Sequence, residues 1–162
     1  MFEWLKNYLL LQEIKEISII KKQFVEWEGV QKAVVIVSSG QYNMVKEFVK
    51  QSGKNFDTIV FYNDKTSVSN DCYLSLNKKD FNFFGLPKPE AIAKLKGKNY
   101  DVLINVDYNN SWFMKVLTGL TSSKCKLGPQ SAVYNDFFDI SIQSNQQDFL
   151  KEAHKYLMMI KS

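Results

Sequence analysis

The segment that decides the fold is YDVLINVDYNNSW, residues 100–112. Its first half is a short and mostly apolar run, which predicts a buried strand. An aspartate, two asparagines and a serine follow, and Trp112 then begins a run of apolar side chains at helical spacing that extends to Leu120. Parallel α/β sheets are built from this succession of strand, polar turn and helix.

The same succession occurs along most of the chain, where short apolar runs alternate with helical patterns. The predicted strands are KAVVIV (32–37), FDTIVFY (56–62), CYLSL (72–76), YDVLINV (100–106), KCKLG (124–128) and FFDISI (137–142). The predicted helices are QYNMVKEFVKQSG (41–53), PEAIAKLKG (89–97), the stretch 112–120 and SNQQDFLKEAHKYLMMI (144–160). The strand pattern is weakest from Cys72 to Leu76, and the sequence leaves open whether that strand joins the sheet.

Strands that alternate with helices predict right-handed crossovers and a mostly parallel sheet that is covered on both faces. No linker rich in proline, glycine or serine and no internal repeat divides the chain. We therefore expect one Rossmann-like α/β domain of three layers over residues 31–162, with a sheet of about five to six strands.

Residues 1–30 predict an additional helical segment that packs on the domain or on a partner. Its apolar residues recur at steps of three and four, as in an amphipathic helix, and they are Leu5, Tyr8, Leu9, Leu11 and Ile14. Leu5 and Leu9 are the candidate partner-binding residues of this segment. Acidic residues on its polar face disfavour a membrane-surface helix, in which lysine should dominate.

The composition is that of a packed globular protein, since 45% of the residues are hydrophobic and 14% are aromatic. All 21 basic residues are lysine, and they are scattered among 17 acids. The chain has no arginine, whose guanidinium group forms bidentate hydrogen bonds to phosphate and guanine, and we therefore expect no nucleic-acid partner. We also expect a cytoplasmic protein, because the sequence shows no signal peptide and no apolar run of roughly 20 residues that would span a membrane.

Polar residues cluster where the predicted strands end. In an open α/β sheet, ligands bind beyond the carboxyl ends of the strands, where helix N-termini converge. The candidate ligand-binding residues at this rim are Ser38, Ser39, Gly40, Asn63, Asp64, Asp107, Asn109, Asn110 and Ser111. A nucleotide, a sugar or an anion would suit them. The alternative is that these residues only cap helices and form turns, because serine, asparagine and aspartate satisfy the free N–H groups at any helix start.

Motifs that carry known chemistry are missing from the sequence. There is no GxGxxG and no GxxxxGK[ST], and Cys72 and Cys125 are not part of a CxxC pair. The only histidine, His154, falls off the apolar stripe of its predicted helix, so we expect it to point to solvent. We therefore predict no catalytic residue, no metal site and no cofactor.

The connection NKKDFNFFGLPK (77–88) places Phe81, Phe83 and Phe84 in an irregular segment. Such phenylalanines either tuck a long loop onto the edge of a sheet or remain exposed as a protein-binding patch. We take the three of them as candidate partner-binding residues.

Three segments carry a resemblance to a known family: FGLPK (84–88), YDVLINV (100–106) and KCKLG (124–128). In this order they resemble a family of small bacterial proteins of unknown function. That resemblance implies a Rossmann-like fold over most of the chain and no particular activity.

A weaker similarity is to the N-terminal domain of heptosyltransferase-like glycosyltransferases, carried by VIVSSG (35–40), YDVLINV and KCKLG. The sequence departs from that family at Gln41, because the family has an acidic residue in this turn that is proposed as its catalytic base. The family's second domain also has no counterpart in 162 residues.

Three functional hypotheses follow. The first is a non-enzymatic cytoplasmic domain that acts through protein contacts, either as a homodimer or with another partner. The second is a small-ligand module with its site at the strand ends. The third, a degenerate glycosyltransferase-like enzyme, rests on fold alone, and a shared fold does not establish shared chemistry.

Overall fold

The structure is a computed structural model that describes residues 2–16, 21–63 and 71–161. Its strands are β1 (Ala33–Ser38), β2 (Phe56–Tyr62), β3 (Leu74–Asn77), β4 (Tyr100–Val106), β5 (Ser123–Pro129) and β6 (Ile140–Ile142). Its α-helices are α1 (Glu3–Lys15), α2 (Tyr42–Ser52), α3 (Pro89–Lys96), α4 (Trp112–Leu120) and α5 (Phe149–Met159). Short 3-10 turns lie at Trp27–Gly29, Ser39–Gln41, Lys78–Asp80 and Asn135–Phe137.

The six strands form one parallel sheet in the order β3-β2-β1-β4-β5-β6. This is the strand order of the Rossmann fold, in which the direction of winding reverses between β1 and β4. The predicted α/β class and the mostly parallel sheet are confirmed. The weak strand also joins the sheet, since β3 pairs with β2 at its edge.

Successive side chains of the central strands point alternately into two separate hydrophobic cores, one on each face of the sheet. In β1, Val35 and Val37 face the layer of α2 and α5, whereas Val34 and Ile36 face the layer of α1, α3 and α4. All four side chains are fully buried. Burial on both faces is the reason that this strand is an unbroken apolar run rather than an alternating one.

The predicted N-terminal helix is present as α1, but it is shorter than residues 1–30. It ends at Lys15, residues 21–26 are not helical, and residues 17–20 lie outside the described part of the chain. The helix packs on α4 through Leu10, which is buried, and through Ile14. None of the described helices is long and apolar enough to cross a bilayer.

Candidate functional site

The turns after β1 and β4 lie side by side, as expected for the point where a Rossmann sheet reverses its winding. Val37 at the end of β1 is paired with Val106 at the end of β4. The turn 38–41 and the turn 107–111 therefore share one rim, and most of the predicted ligand-binding residues belong to these two turns.

The carboxylate of Asp107 accepts hydrogen bonds from groups of its own chain. Its side chain is buried, and its Oδ1 accepts a hydrogen bond from the backbone N–H of Asn109 at 2.9 Å. Its Oδ2 accepts from the backbone N–H of Ser111 at 2.9 Å and from the hydroxyl of Tyr134. Both carboxylate oxygens are thus used to close the turn, which supports the turn interpretation of this residue.

A buried polar network extends from Asp107 into the core. Asn105, near the end of β4, donates from Nδ2 to Thr118 Oγ1 at 2.6 Å and to the Tyr134 hydroxyl at 3.2 Å. Burial and the nearby Asp107 carboxylate raise the pKa of Tyr134, which therefore stays protonated and remains a donor. Asn105 Oδ1 has no hydrogen-bond partner within the described residues. The only sequence signal for this network is one asparagine inside an apolar strand.

The rest of the β4–α4 turn is fastened to neighbouring loops. Asn110 has a left-handed backbone with a φ of 53°, and its Oδ1 accepts from the Val133 N–H at 2.6 Å. The Tyr108 hydroxyl donates to the carbonyl of Ser144 at 3.0 Å. Ser111 is the N-cap of α4, where its Oγ accepts a long hydrogen bond of 3.5 Å from the Met114 N–H. Asn109 is exposed, as is Asn110, but the Asn110 side chain makes the contact with Val133.

Among the described residues, the turn after β1 makes fewer side-chain hydrogen bonds than the turn after β4 does. Ser38 donates a hydrogen bond from its hydroxyl to the side-chain oxygen of Gln41, and α2 has no side-chain N-cap among the described residues. Ser39 is half-buried, and Gly40 is exposed. Asn63 is exposed just beyond β2, and Asp64 lies outside the described residues.

The outer face of α1 is a second candidate surface, which we define as Trp4, Tyr8 and Leu11. These side chains recur at i, i+4 and i+7 and are 71%, 54% and 48% exposed. The partner-binding residues predicted from the sequence of this segment are different, namely Leu5 and Leu9. Both are half-buried, and Leu9 packs against the core on the α4 side of the sheet. The helix therefore has two apolar faces, and the described residues of the domain cover one of them.

The three phenylalanines of the 77–88 connection have different environments. Phe81 is buried, with its ring 6.0 Å from that of Phe61 and 4.8 Å from that of Phe113, so it belongs to the core. Phe83 and Phe84 are exposed, and we call them the aromatic turn. The Phe83 ring lies 6.5 Å from that of Phe2, which places the aromatic turn beside the start of α1.

Gly85 and Trp112 fix the shape of the aromatic turn. Gly85 has a φ of 76°, a conformation that side chains other than glycine rarely adopt. The indole Nε1 of Trp112 donates to the Gly85 carbonyl at 2.9 Å, and a Cβ at Gly85 would lie 2.3 Å from that nitrogen.

The model of one protein family matches residues 5–160, nearly the whole chain. The chain belongs to DUF6913, a family of unknown function. The predicted resemblance to proteins of unknown function with a Rossmann-like fold is thereby confirmed, whereas no similarity to glycosyltransferases is shown. No curated protein and no solved structure matches the chain.

In this DUF6913 chain, a groove of about 440 Å³ separates α2 from α5. Met44, Phe48 and Leu150 line it together with polar residues of both helices. His154 also lines it and is half-buried, contrary to the expectation that it points to solvent. Its ring meets Trp27 edge-on at 4.9 Å, so aromatic packing accounts for its position.

Other reactive groups of the DUF6913 chain are occupied or shielded. Burial raises the pKa of Cys125 to about 12, which makes it a poor nucleophile. Burial, with a smaller contribution from Lys22, lowers the pKa of Lys126 to about 7. The Lys126 Nζ donates to the Thr118 carbonyl at 2.7 Å. Over the described ranges, no three His, Cys, Asp or Glu side chains are grouped closely enough to hold a metal ion.

Proposed function

We propose that the chain is a non-enzymatic protein-binding domain that acts through the outer face of α1. The observation that carries this proposal is the exposure of Trp4, Tyr8 and Leu11 on a helix whose opposite side already packs on the domain. A contiguous apolar face that a domain leaves exposed often marks a protein-binding surface. The exposed face of α1 therefore fits a partner.

The polar residues of α1 support the same proposal, because several of them are used in contacts with the domain. Glu13 forms an ion pair with Lys96 at 2.8 Å, and Asn7 accepts a hydrogen bond from Lys115 at 2.6 Å. These contacts fix the rotation of α1 about its axis. They keep Trp4, Tyr8 and Leu11 directed away from α4.

A photo-crosslinking experiment tests this function. A benzophenone amino acid replaces Tyr8 in cells that produce the protein, and the matched control carries it at Tyr156, which is exposed on α5 in the opposite layer. We expect a covalent protein adduct from position 8 and none from position 156. Equal labelling from both positions, or no adduct from position 8, would contradict the proposal.

A cytoplasmic location is part of the proposal. Cys125 is buried in the core as a thiol, and buried thiols suit a reducing compartment. Fractionation of cells that produce the tagged protein checks this point.

The second candidate function is a small-ligand module at the strand ends. The sheet order favours it, because the winding reverses between β1 and β4, and Ser39 and Gly40 in the turn after β1 are at least partly exposed. The hydrogen bonds that Asp107 accepts from its own turn argue against a ligand-binding role for this residue. The test is whether nucleotides or sugar phosphates raise the melting temperature of the wild-type protein and not that of a Ser39→Ala variant.

A further inference from the structure

We infer that the partner of α1 is a second copy of the same chain, with the two α1 helices antiparallel around a two-fold axis near Tyr8. This inference rests on the proposed function and specifies the partner of that surface.

The spacing of the outer face suits such a pair. Antiparallel helices that cross at Tyr8 bring the two Tyr8 rings together and place Trp4 of each copy beside Leu11 of the other. Large and smaller apolar side chains then alternate along the contact, as in packed helix pairs. Both copies contribute the same surface to the contact, as an isologous interface requires.

The charges at the ends of α1 favour the antiparallel arrangement. Glu3 is exposed in the first turn and Lys15 in the last. Antiparallel pairing brings Lys15 of one copy toward Glu3 of the other, whereas parallel pairing would place like charges together. The two Lys15 residues would be roughly 21 Å apart at a rise of 1.5 Å per residue. That distance is beyond the Debye length of about 8 Å at physiological salt.

The exposed area is sufficient for a modest interface. With about 200 Å² per aromatic side chain, the outer face of α1 together with Phe2 and the aromatic turn exposes on the order of 600 Å². A standard interface buries about 800 Å² on each partner. We therefore expect a dimer that forms reversibly and dissociates on dilution.

Other occupants fit the surface less well. Another exposed apolar group lies near the end of α5, at Tyr156, Met158 and Met159. Docking of α1 onto that group would be a heterologous contact, which builds rings or open chains of molecules rather than a two-fold dimer. A membrane-surface helix would need lysine to dominate its polar face, whereas the polar residues of α1 include Glu3 and Glu13.

Sedimentation velocity tests the dimer over a concentration series of the full-length protein. We expect the wild type to shift from monomer to dimer as concentration rises. Tyr8→Glu places two negative charges near the axis, so we expect it to raise the dimer dissociation constant at least tenfold. Tyr156→Glu is the matched control and should dimerise like the wild type. Circular dichroism melting curves establish that both variants are folded.

A cysteine experiment tests the register without relying on Tyr8→Glu. Under mild oxidation, Tyr8→Cys should form disulfide-linked dimers because the two thiols meet near the axis. Lys15→Cys should form few, since its thiols lie far apart in the antiparallel pair. The wild type treated in the same way accounts for any linkage through the native cysteines.

Three results would overturn the inference: a wild type that is monomeric at every concentration, a dimer that Tyr8→Glu leaves intact, and efficient linkage of Lys15→Cys with none of Tyr8→Cys. Binding of the wild type to anionic lipid vesicles in place of self-association would overturn it as well. The photo-crosslink at position 8 separates this inference from the proposed function. An adduct with a different protein would retain the function and reject the second copy, whereas no adduct would reject both.

Discussion

The hydroxyl of Tyr134 donates a hydrogen bond to the buried carboxylate of Asp107, joining the loop after β5 to the turn after β4. The same hydroxyl accepts from Asn105 Nδ2, so one oxygen connects the central strand, the turn and the loop. This connection makes the strand-end rim beside β4 a rigid part of the core.

Tyr134→Phe is expected to lower the free energy of unfolding by about 1 to 3 kcal/mol, because it removes a donor from a buried carboxylate and an acceptor from a buried amide. Urea unfolding measures the change. Tyr156→Phe, at an exposed position on α5, is the control and should change stability by less than about 0.5 kcal/mol. A Tyr134→Phe protein as stable as the wild type would show that the network contributes nothing.

Asp107 and Asn109 should respond differently to substitution. We expect Asp107→Ala to destabilise the protein by about 2 to 4 kcal/mol, since it leaves the N–H groups of the turn and the Tyr134 hydroxyl without their acceptor. Asn109→Ala should be within about 0.5 kcal/mol of the wild type, because Asn109 is exposed. Thermal and urea unfolding compare the two. Equal losses would contradict the assignment of Asp107 as the residue that closes the turn.

Lys126 makes stability depend on pH. Its pKa is about 7 in the folded protein and 10.5 ordinarily, so between these values the unfolded chain binds more protons than the folded one. Stability should therefore rise with pH across that window, by at most about 1.4 kcal/mol per pH unit for one group. The destabilisation should be complete below pH 7.

Lys126→Met tests this effect by urea unfolding at several pH values. Relative to the wild type, the variant should gain most stability at the acidic end of the range, and the gain should shrink as pH rises. Lys151→Met, at an exposed lysine on α5, is the control and should show no such trend. A difference between Lys126→Met and wild type that is constant with pH would contradict the lowered pKa.

Gly85 and Gly40 form a matched pair of glycine positions. Gly85→Ala is expected to cost about 2 kcal/mol or more, because its φ is 76° and the new Cβ would collide with the Trp112 indole. Gly40→Ala should change stability by less than about 0.5 kcal/mol, since nothing lies within 4 Å of the added carbon. Denaturant unfolding measures both, and a tolerated Gly85→Ala would disprove the close packing of the aromatic turn.

The fold was predictable where burial shapes the sequence directly. The run from Val34 to Val37 is apolar because both faces of β1 are covered, and that pattern identifies a central parallel strand without any structure. The length of the N-terminal helix was less predictable, because the apolar segment continues beyond Lys15 with no residue that marks the helix end.

The candidate surfaces were harder to predict, because each depends on a partner that is distant in the chain. Helical spacing is satisfied both by Leu5 and Leu9 and by Trp4, Tyr8 and Leu11, so periodicity cannot select which of two apolar helix faces is exposed. The role of Asp107 depends on Tyr134, which is 27 residues away. Local sequence favours a turn at Asp107 but contains no information about that contact.

Gly119 on α4 has a consequence for any assembly built on α1. A Cβ there would lie 2.8 Å from Ile14 Cδ1. Because glycine has no side chain, Ile14 can pack directly against α4 at this position. Together with the contacts of Asn7 and Glu13, the packing of Ile14 on Gly119 holds α1 in place along its length. A protein that binds α1 as proposed would therefore be held at a set angle to the sheet, because α1 is packed rigidly on α4 and is not joined to it by a flexible tether.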